Sequence, residues 1–467
     1  MAVNEKMILV SIVLGTFMAS LDATIVAVAL PTMASEYVRA GDTTDISWVL
    51  LGYTLALCCF ILLWGKLGNR VGYRKIFVTG VGIFTVMSLL IGILGTFGGS
   101  LEEIIAMRLI QGMGAGMIMS MGLAMVNIYM PNTRGRAVGT ITLAASAGTA
   151  FGPAIGGLLC HFDWSYIFFI NVPIGIICLL MCFKYMSAVT EHPDRSKKLD
   201  YVGVILMVVM MFSLIYFLNT GNDNGWTSNT SIVLVFVALM FAGALAWWER
   251  RSKDPLVSVR IMRIKDVVGG NIVSLLLFAG MAGTYLLLPY FLELCQGYST
   301  VEMGLILIAN SVGMMVVGPA VGKMSDKTGM NSRIVSAGCL IMAVGFLMFT
   351  FLSAGSGLLY ILIALFVMGA GAGMALVSDT NLCLGYAKDG ESGEMSGLIN
   401  TFRQAGSTAG VALMESVFAA SVVVSTVFVT SDLLTGFRPA FFVAMVMALI
   451  AFAISMFVKD RSTVAED

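Results

Sequence analysis

Five charged side chains stand inside long apolar runs of this 467-residue chain: Asp22, Arg108, Asp379, Arg403 and Glu415. A charge at mid-membrane costs roughly 2.5–3.5 kcal/mol on insertion scales, so each needs a partner, a water-filled cavity or a task. Asp22 lies about eight residues before the end of its run and Arg108 about six after the start of its own, some 12 and 9 Å at the helical rise. The two therefore share a depth. An ion pair there favours the carboxylate while desolvation favours the acid, so protonation can change as helices move. The alternative is a permanent structural salt bridge. Asp379 and Arg403 also share a depth and read as a structural latch. Glu415 has no basic residue at its depth; it is either a second proton or substrate site or a protonated structural acid.

This chemistry is proton exchange rather than covalent catalysis. An intramembrane enzyme would need a Ser/His, paired-Asp or His-rich metal constellation. The chain has 2 histidines, His161 at the end of one run and His192 in a loop. No phosphate loop or nucleotide fingerprint appears. The reading is therefore not an enzyme and no cofactor, with protons as the coupling ion.

The elements that position these groups must be membrane helices. Hydrophobic residues make up 58% and charged residues 12%, and mean hydropathy is +0.93, more apolar surface than a water-soluble globule can bury. A span needs about 20 apolar residues, whereas barrel strands would alternate over about ten. Fourteen runs fit the first ruler, near 7–30, 46–65, 76–96, 102–129, 137–160, 166–186, 201–218, 231–248, 268–292, 302–322, 333–353, 357–384, 396–425 and 438–458. The expected fold is all-α and integral to the membrane. Residues 1–186 and 268–467 form six-helix bundles, and the linker 187–267 carries two extra transmembrane helices. With the N-terminus inside, inner segments hold 23 of the 27 Lys and Arg residues, the others being Arg39, Arg438, Arg108 and Arg403. Retention of basic loops in the cytoplasm puts both termini there, in a multi-pass cell-membrane protein. The 8 cysteines include no Cys-x-x-Cys pair and read as apolar fillers.

The halves are related. Gly65-Lys66-Leu67-Gly68-Asn69-Arg70-Val71-Gly72 returns 257 positions later as Gly322-Lys323-Met324-Ser325-Asp326-Lys327-Thr328-Gly329. The same offset links Gly114-Ala115-Gly116-Met117 to Gly371-Ala372-Gly373-Met374, and an offset of 258 links Ala147-Gly148 to Ala405-Gly406. Parallel halves of this kind build a central site at their seam in many transporters. Gly148, Gly152 and Gly156, with Pro153 among them, put small residues every four positions, a face on which helices approach closely and bend.

Several segments resemble the major facilitator superfamily, and within it the fourteen-span drug:proton antiporters, over nearly the whole chain. Residues 21–31, beginning Leu21-Asp22-Ala23-Thr24, resemble the first-span motif. Residues 65–75 are similar to the loop between spans two and three, with Asn69 in place of the acid and Tyr73 in place of an arginine. Asp326 keeps the acid in the second copy. Arg108-Leu109-Ile110-Gln111-Gly112 resembles the fourth-span motif, whose arginine is implicated in proton transfer. Residues 148–157 resemble the antiporter signature of span five. Residues 164–173 are similar to the motif that opens span six, with Ser165 for the usual arginine, and Arg403-Gln404-Ala405-Gly406 matches the thirteenth span.

The resemblance implies proton-coupled antiport that exports hydrophobic or amphipathic drugs, cationic ones foremost, by alternating access. Asp22, Arg108 and Glu415 would couple protons, and Asp22, Gln111 and Glu415 would face the substrate. Asn69, Arg70, Gly148, Gly152, Pro153, Gly156, Asp326, Asp379 and Arg403 would gate or brace. Partners would be small amphipathic substrates, protons and membrane lipids, with no nucleic acid, and the protein would act as a monomer. A lipid or metabolite exporter on the same scaffold, or a non-transport membrane protein, is the alternative.

Overall fold

The structure is a computed structural model that describes residues 5–37, 44–186, 191, 199–388, 390–422 and 430–460. Arg39, His192, Arg195, Lys197, Lys198 and Arg461 lie outside the described residues, with most of the segment 187–200. Among the described residues the chain is helical and has no strand. Lipid offers no partner to backbone N–H and C=O groups, and a helix satisfies its own.

The first part of the chain forms α1 (Glu5–Tyr37), α2 (Thr44–Val71), α3 (Tyr73–Phe97), α4 (Leu101–Tyr129), α5 (Arg134–Cys160), α6 (Tyr166–Phe169) and α7 (Asn171–Tyr185). Then come α8 (Tyr201–Asn224), α9 (Asn229–Glu249) and the short α10 (Val259–Arg263). The last part forms α11 (Lys265–Gln296), α12 (Thr300–Thr328), α13 (Asn331–Thr350), α14 (Leu358–Gly385), α15 (Ser392–Ser421) and α16 (Thr430–Ser455). Local signals set several ends. Ser100 with Glu103 and Ser299 with Glu302 form capping boxes at the starts of α4 and α12, each satisfying two orphan N–H groups.

Among the described residues, thirteen helical stretches are long and apolar enough to cross a membrane, α6 and α7 together counting as one. The thirteenth expected span, 396–425, of which 423–425 lie outside the described residues, corresponds to α15, whose 30 residues form a continuous helix but fall outside that apolar set. Its small and polar residues, with Arg403, Gln404 and Glu415 among them, lower its hydropathy. The expected sixth span, 166–186, is also modified. It breaks at Ile170 into α6 and α7, which puts Asn171 at the start of the longer piece.

By contacts the chain sorts into two units. The first holds Met1–Asn132, Leu143–Tyr201 and Lys388–Asn400; the second holds Thr133–Thr142, Val202–Ala387 and Thr401–Asp467. The two extra helices thus group with the second unit. They add little to its core, since the most apolar windows of α8 and α9 are only 22% and 11% buried, against 78% for α4. In the first unit a buried cluster of Ile25, Val26, Ala29, Ile91, Trp164 and Phe168 packs α1 against α3 and α6. Trp164 also donates to Glu36 at 2.6 Å. In the second unit Phe291, Phe346, Phe349, Phe437 and Phe441 anchor a core shared by α11, α13 and α16. Lipid is as apolar as these side chains, so close packing rather than water exclusion holds such helices together.

Candidate functional site

The equal depths of Asp22 and Arg108 become a direct contact. Arg108 Nη1 donates to Asp22 Oδ2 at 2.6 Å, and both side chains are fully buried. Gln111 stands three residues after Arg108, on the same face of α4. It accepts from Arg108 Nη1 at 2.7 Å and donates to Asp22 Oδ1 at 3.2 Å and to Ser88 Oγ at 2.8 Å. Asn171, at the break between α6 and α7, donates to Asp22 Oδ1 at 2.9 Å. Three donors on two oxygens suit an ionised carboxylate.

The arginine is held as firmly as the acid. Its Nε donates to the Val49 carbonyl of α2 at 3.0 Å. Its guanidinium lies 4.3 Å from the centroid of the Tyr53 ring and 5.7 Å from that of Phe168, within cation–π range. One donor and one acceptor remain open. Neither Arg108 Nη2 nor Asn171 Oδ1 has a hydrogen-bond partner among the described residues.

The small-residue face of α5 lies on α1 around this site. A Cβ at Gly148 would sit 2.6 Å from the Phe17 carbonyl oxygen and 2.9 Å from the Leu21 nitrogen. One at Gly152 would collide with Thr24, and one at Gly156 would lie 3.0 Å from Ile25. Only glycine permits α5 to approach so closely. Pro153 stands inside the same helix.

The two copies of the octapeptide each hold the start of a distant helix. Asp326 accepts from the N–H of Gly135 at 2.7 Å and of Arg136 at 3.0 Å, at the first turn of α5. A helix N-terminus carries unsatisfied N–H groups and partial positive charge, so a carboxylate is stabilised there. Asn69 does the same for α15 with a neutral oxygen, accepting from Gly393 N–H at 3.0 Å and from Tyr73 at 2.8 Å. The charge that Asn69 lacks is present beside it as a buried pair, Lys66 Nζ to Glu394 Oε1 at 2.7 Å. Arg70 is half-buried and makes no hydrogen bond or ion pair among the described residues.

Two further expectations take a different form. Asp379 and Arg403 do not touch, so the expected latch is not closed in this conformation. Asp379 accepts from Ser274 at 2.6 Å, and Arg403 donates instead to Thr380 and to the Leu376 carbonyl. Glu415 is exposed on α15 rather than enclosed. At the end of α14, burial and then the neighbouring Asp266 push the Tyr386 hydroxyl above its ordinary range. It stays a donor to Asp266 at 3.2 Å.

Depth and spacing single out neither Ser88, Tyr53 nor Glu394, while Lys66 enters only as part of the repeated octapeptide and Asn171 only as part of residues 164–173. An isolated Asn in the apolar sixth run was the available signal for Asn171. For the pairing of Lys66 with Glu394, 328 positions apart, the sequence carries no signal.

The comparisons with known proteins concern the chain as a whole. A sequence profile described as Major Facilitator Superfamily matches residues 12–411. The multidrug resistance protein Stp of Mycobacterium tuberculosis (strain CDC 1551 / Oshkosh) is 31% identical over 420 residues, covering 89% of this chain and 76% of that protein. The riboflavin transporter RibZ of Clostridioides difficile (strain 630) is 27% identical over 463 residues, 98% of each. The crystal structure of the human organic anion transporter MFSD10 (TETRAN) superposes with a TM-score of 0.68 over 97% of this chain and 99% of that one, at 17% identity, a likeness of fold. With the profile match over residues 12–411, the 31% identical relative and the helical fold, the chain belongs to the major facilitator superfamily and is a multi-pass membrane transporter, not an enzyme.

Proposed function

We propose that the protein is a proton-coupled antiporter of the cell membrane, with both termini in the cytoplasm, that exports hydrophobic or amphipathic compounds by alternating access. The observation that carries this reading is the buried Asp22–Arg108–Gln111–Asn171 cluster. In the conformation described here the donors favour the carboxylate, and full burial keeps protons away from it. A second conformation that opens the cluster to water lets a proton displace Arg108 from Asp22. Asn171 Oδ1, without a partner among the described residues, is an acceptor that the resulting acid can use. Each conformation is then favoured by one protonation state, which is the requirement for a ligand to shift an equilibrium.

The drive is adequate. One proton moving through about 100 mV supplies roughly 2.3 kcal/mol, equivalent to a roughly fifty-fold concentration ratio. The drug-resistance relative supports an amphipathic drug as cargo, and cationic compounds suit the exposed Glu415. The riboflavin transporter, matched over 98% of both chains, favours a second reading in which one endogenous aromatic metabolite is carried.

Proteoliposomes with an imposed pH gradient, a panel of lipophilic dye cations plus riboflavin, and a dye reporting internal pH test both. Antiport predicts substrate movement with counterflow of protons, lost in Asp22→Asn. Transport of riboflavin alone selects the second reading, and proton counterflow that survives in Asp22→Asn removes Asp22 from the mechanism.

A further inference from the structure

The second unit holds a buried carboxyl in surroundings unlike those of Asp22. Asp379 on α14 is 1% exposed. Its Oδ2 accepts from the Ser274 hydroxyl of α11 at 2.6 Å, and the Cys383 thiol lies 3.9 Å from Oδ1. The backbone of α11 closes over it, since a Cβ at Gly270 would stand 2.4 Å from Oδ1.

A cation is near but turned aside. Arg403 of α15 donates through Nη2 to Thr380 Oγ1 and, at 3.4 Å, to the Leu376 carbonyl. Its guanidinium lies 5.4 Å from the centroid of the Phe278 ring, and its buried Nε has no partner among the described residues. Thr380 and Leu376 lie one and three positions from Asp379 on α14, so the acceptors that Arg403 now holds are neighbours of the carboxyl along the same helix. The other titratable groups facing Asp379 are Cys383 on its own helix and Cys339 on α13, with Asp266 of α11 and Tyr386 toward the helix end. None of these is a cation.

An ionised carboxylate that receives only a hydroxyl and a weak thiol donor, with the nearby guanidinium bonded to other acceptors, is a poorly compensated buried charge, which is costly. A proton removes that cost. Asp22 needs no such proton, because it has a guanidinium and two amides.

We propose that Asp379 is a second proton-binding site, which holds a proton in this conformation and releases it to water when Arg403 turns from Thr380 to the carboxylate. The release leaves a neutral ion pair where a lone cation and a neutral acid stood. The part this plays in transport rests on the antiport reading above; the occupancy of Asp379 does not.

Infrared difference spectra of the full-length protein in lipid vesicles, taken between neutral and alkaline pH, test the assignment. The wild type should show the carbonyl stretch of a protonated carboxyl at neutral pH and lose it under alkaline conditions. Asp379→Asn should lack the band, Asp22→Asn should keep it, and Ser274→Ala, which removes the hydrogen bond but not the acid, should shift its frequency. Arg403→Gln removes the displacing cation and should retain the band where the wild type has lost it. A band that survives in Asp379→Asn, one that Ser274→Ala leaves unshifted, or one whose loss is the same in Arg403→Gln overturns the proposal. Should Asp379→Asn fail to fold, the Ser274 and Arg403 variants still decide. A wild type that moves no protons in vesicles would overturn the antiport reading and leave these spectra unaffected.

Discussion

In the first unit the octapeptide 65–72 meets the start of α15, and in the second its copy 322–329 meets the start of α5. The backbone approach is nearly identical. A Cβ at Gly65 would lie 2.3 Å from the Gly393 carbonyl oxygen, and one at Gly322 would lie 2.2 Å from that of Gly135. Both copies end on a glycine with positive φ, 111° at Gly72 and 66° at Gly329, where the chain turns between helices. Both present a side-chain oxygen to the first turn of the helix they hold, from Asn69 and from Asp326. Charge is where they part. The second copy places its charge in the cap itself, with Lys323 and Arg136 exposed. The first has a neutral cap and a buried Lys66–Glu394 pair beside it. Backbone sterics leave no freedom at the glycines, whereas electrostatic stabilisation of a helix start can be supplied from more than one position.

The largest effect should come from splitting the buried pair. Glu394→Gln leaves Lys66 charged without a counter-ion and should cost about 3–5 kcal/mol, read as thermal stability of the purified protein in detergent. Replacing both partners with apolar residues of similar volume should restore most of that loss; a double variant as unstable as the single one would mean that the pair is more than mutual compensation. Next in size, Gly65→Ala and Gly322→Ala should each cost about 1–3 kcal/mol by overpacking, and by similar amounts. Unequal costs would break the equivalence of the two backbone contacts. Asn69→Ala and Asp326→Ala should each cost about 1 kcal/mol through a lost cap. The smallest effect belongs to Asp326→Asn, which keeps an oxygen and loses the charge. About 0.3–1 kcal/mol is expected, declining as salt is added, and a salt-independent loss would exclude the helix-dipole account.

Much of the site was legible because depth in a bilayer follows from counting. Asp22 and Arg108 lie 86 positions apart in the chain and meet at 2.6 Å, as their distances from the ends of their runs imply. Asp379 and Arg403 agree in depth as well, but depth says nothing of azimuth or rotamer, and Arg403 turns to Thr380. Asn171 was hidden for a related reason. Its reach to Asp22 depends on the break at Ile170, which uniform hydropathy does not reveal. Hydropathy also understates α15, a helix rich in small and polar residues that is buried where it faces α11, with Gly410 against Ala279 and Met414 against Gly283.

The order of the long apolar runs, the duplicated register and the presence of lone charges in oil are properties of the sequence alone. Lipid leaves the backbone no other way to satisfy its hydrogen bonds, and the rise per residue is constant. Which of those charges touch, which amides join them and which helix start each repeated loop holds were decided only by tertiary structure. These depend on the rotation of each helix about its axis, set by packing partners such as Lys66 and Glu394 that lie 328 positions apart.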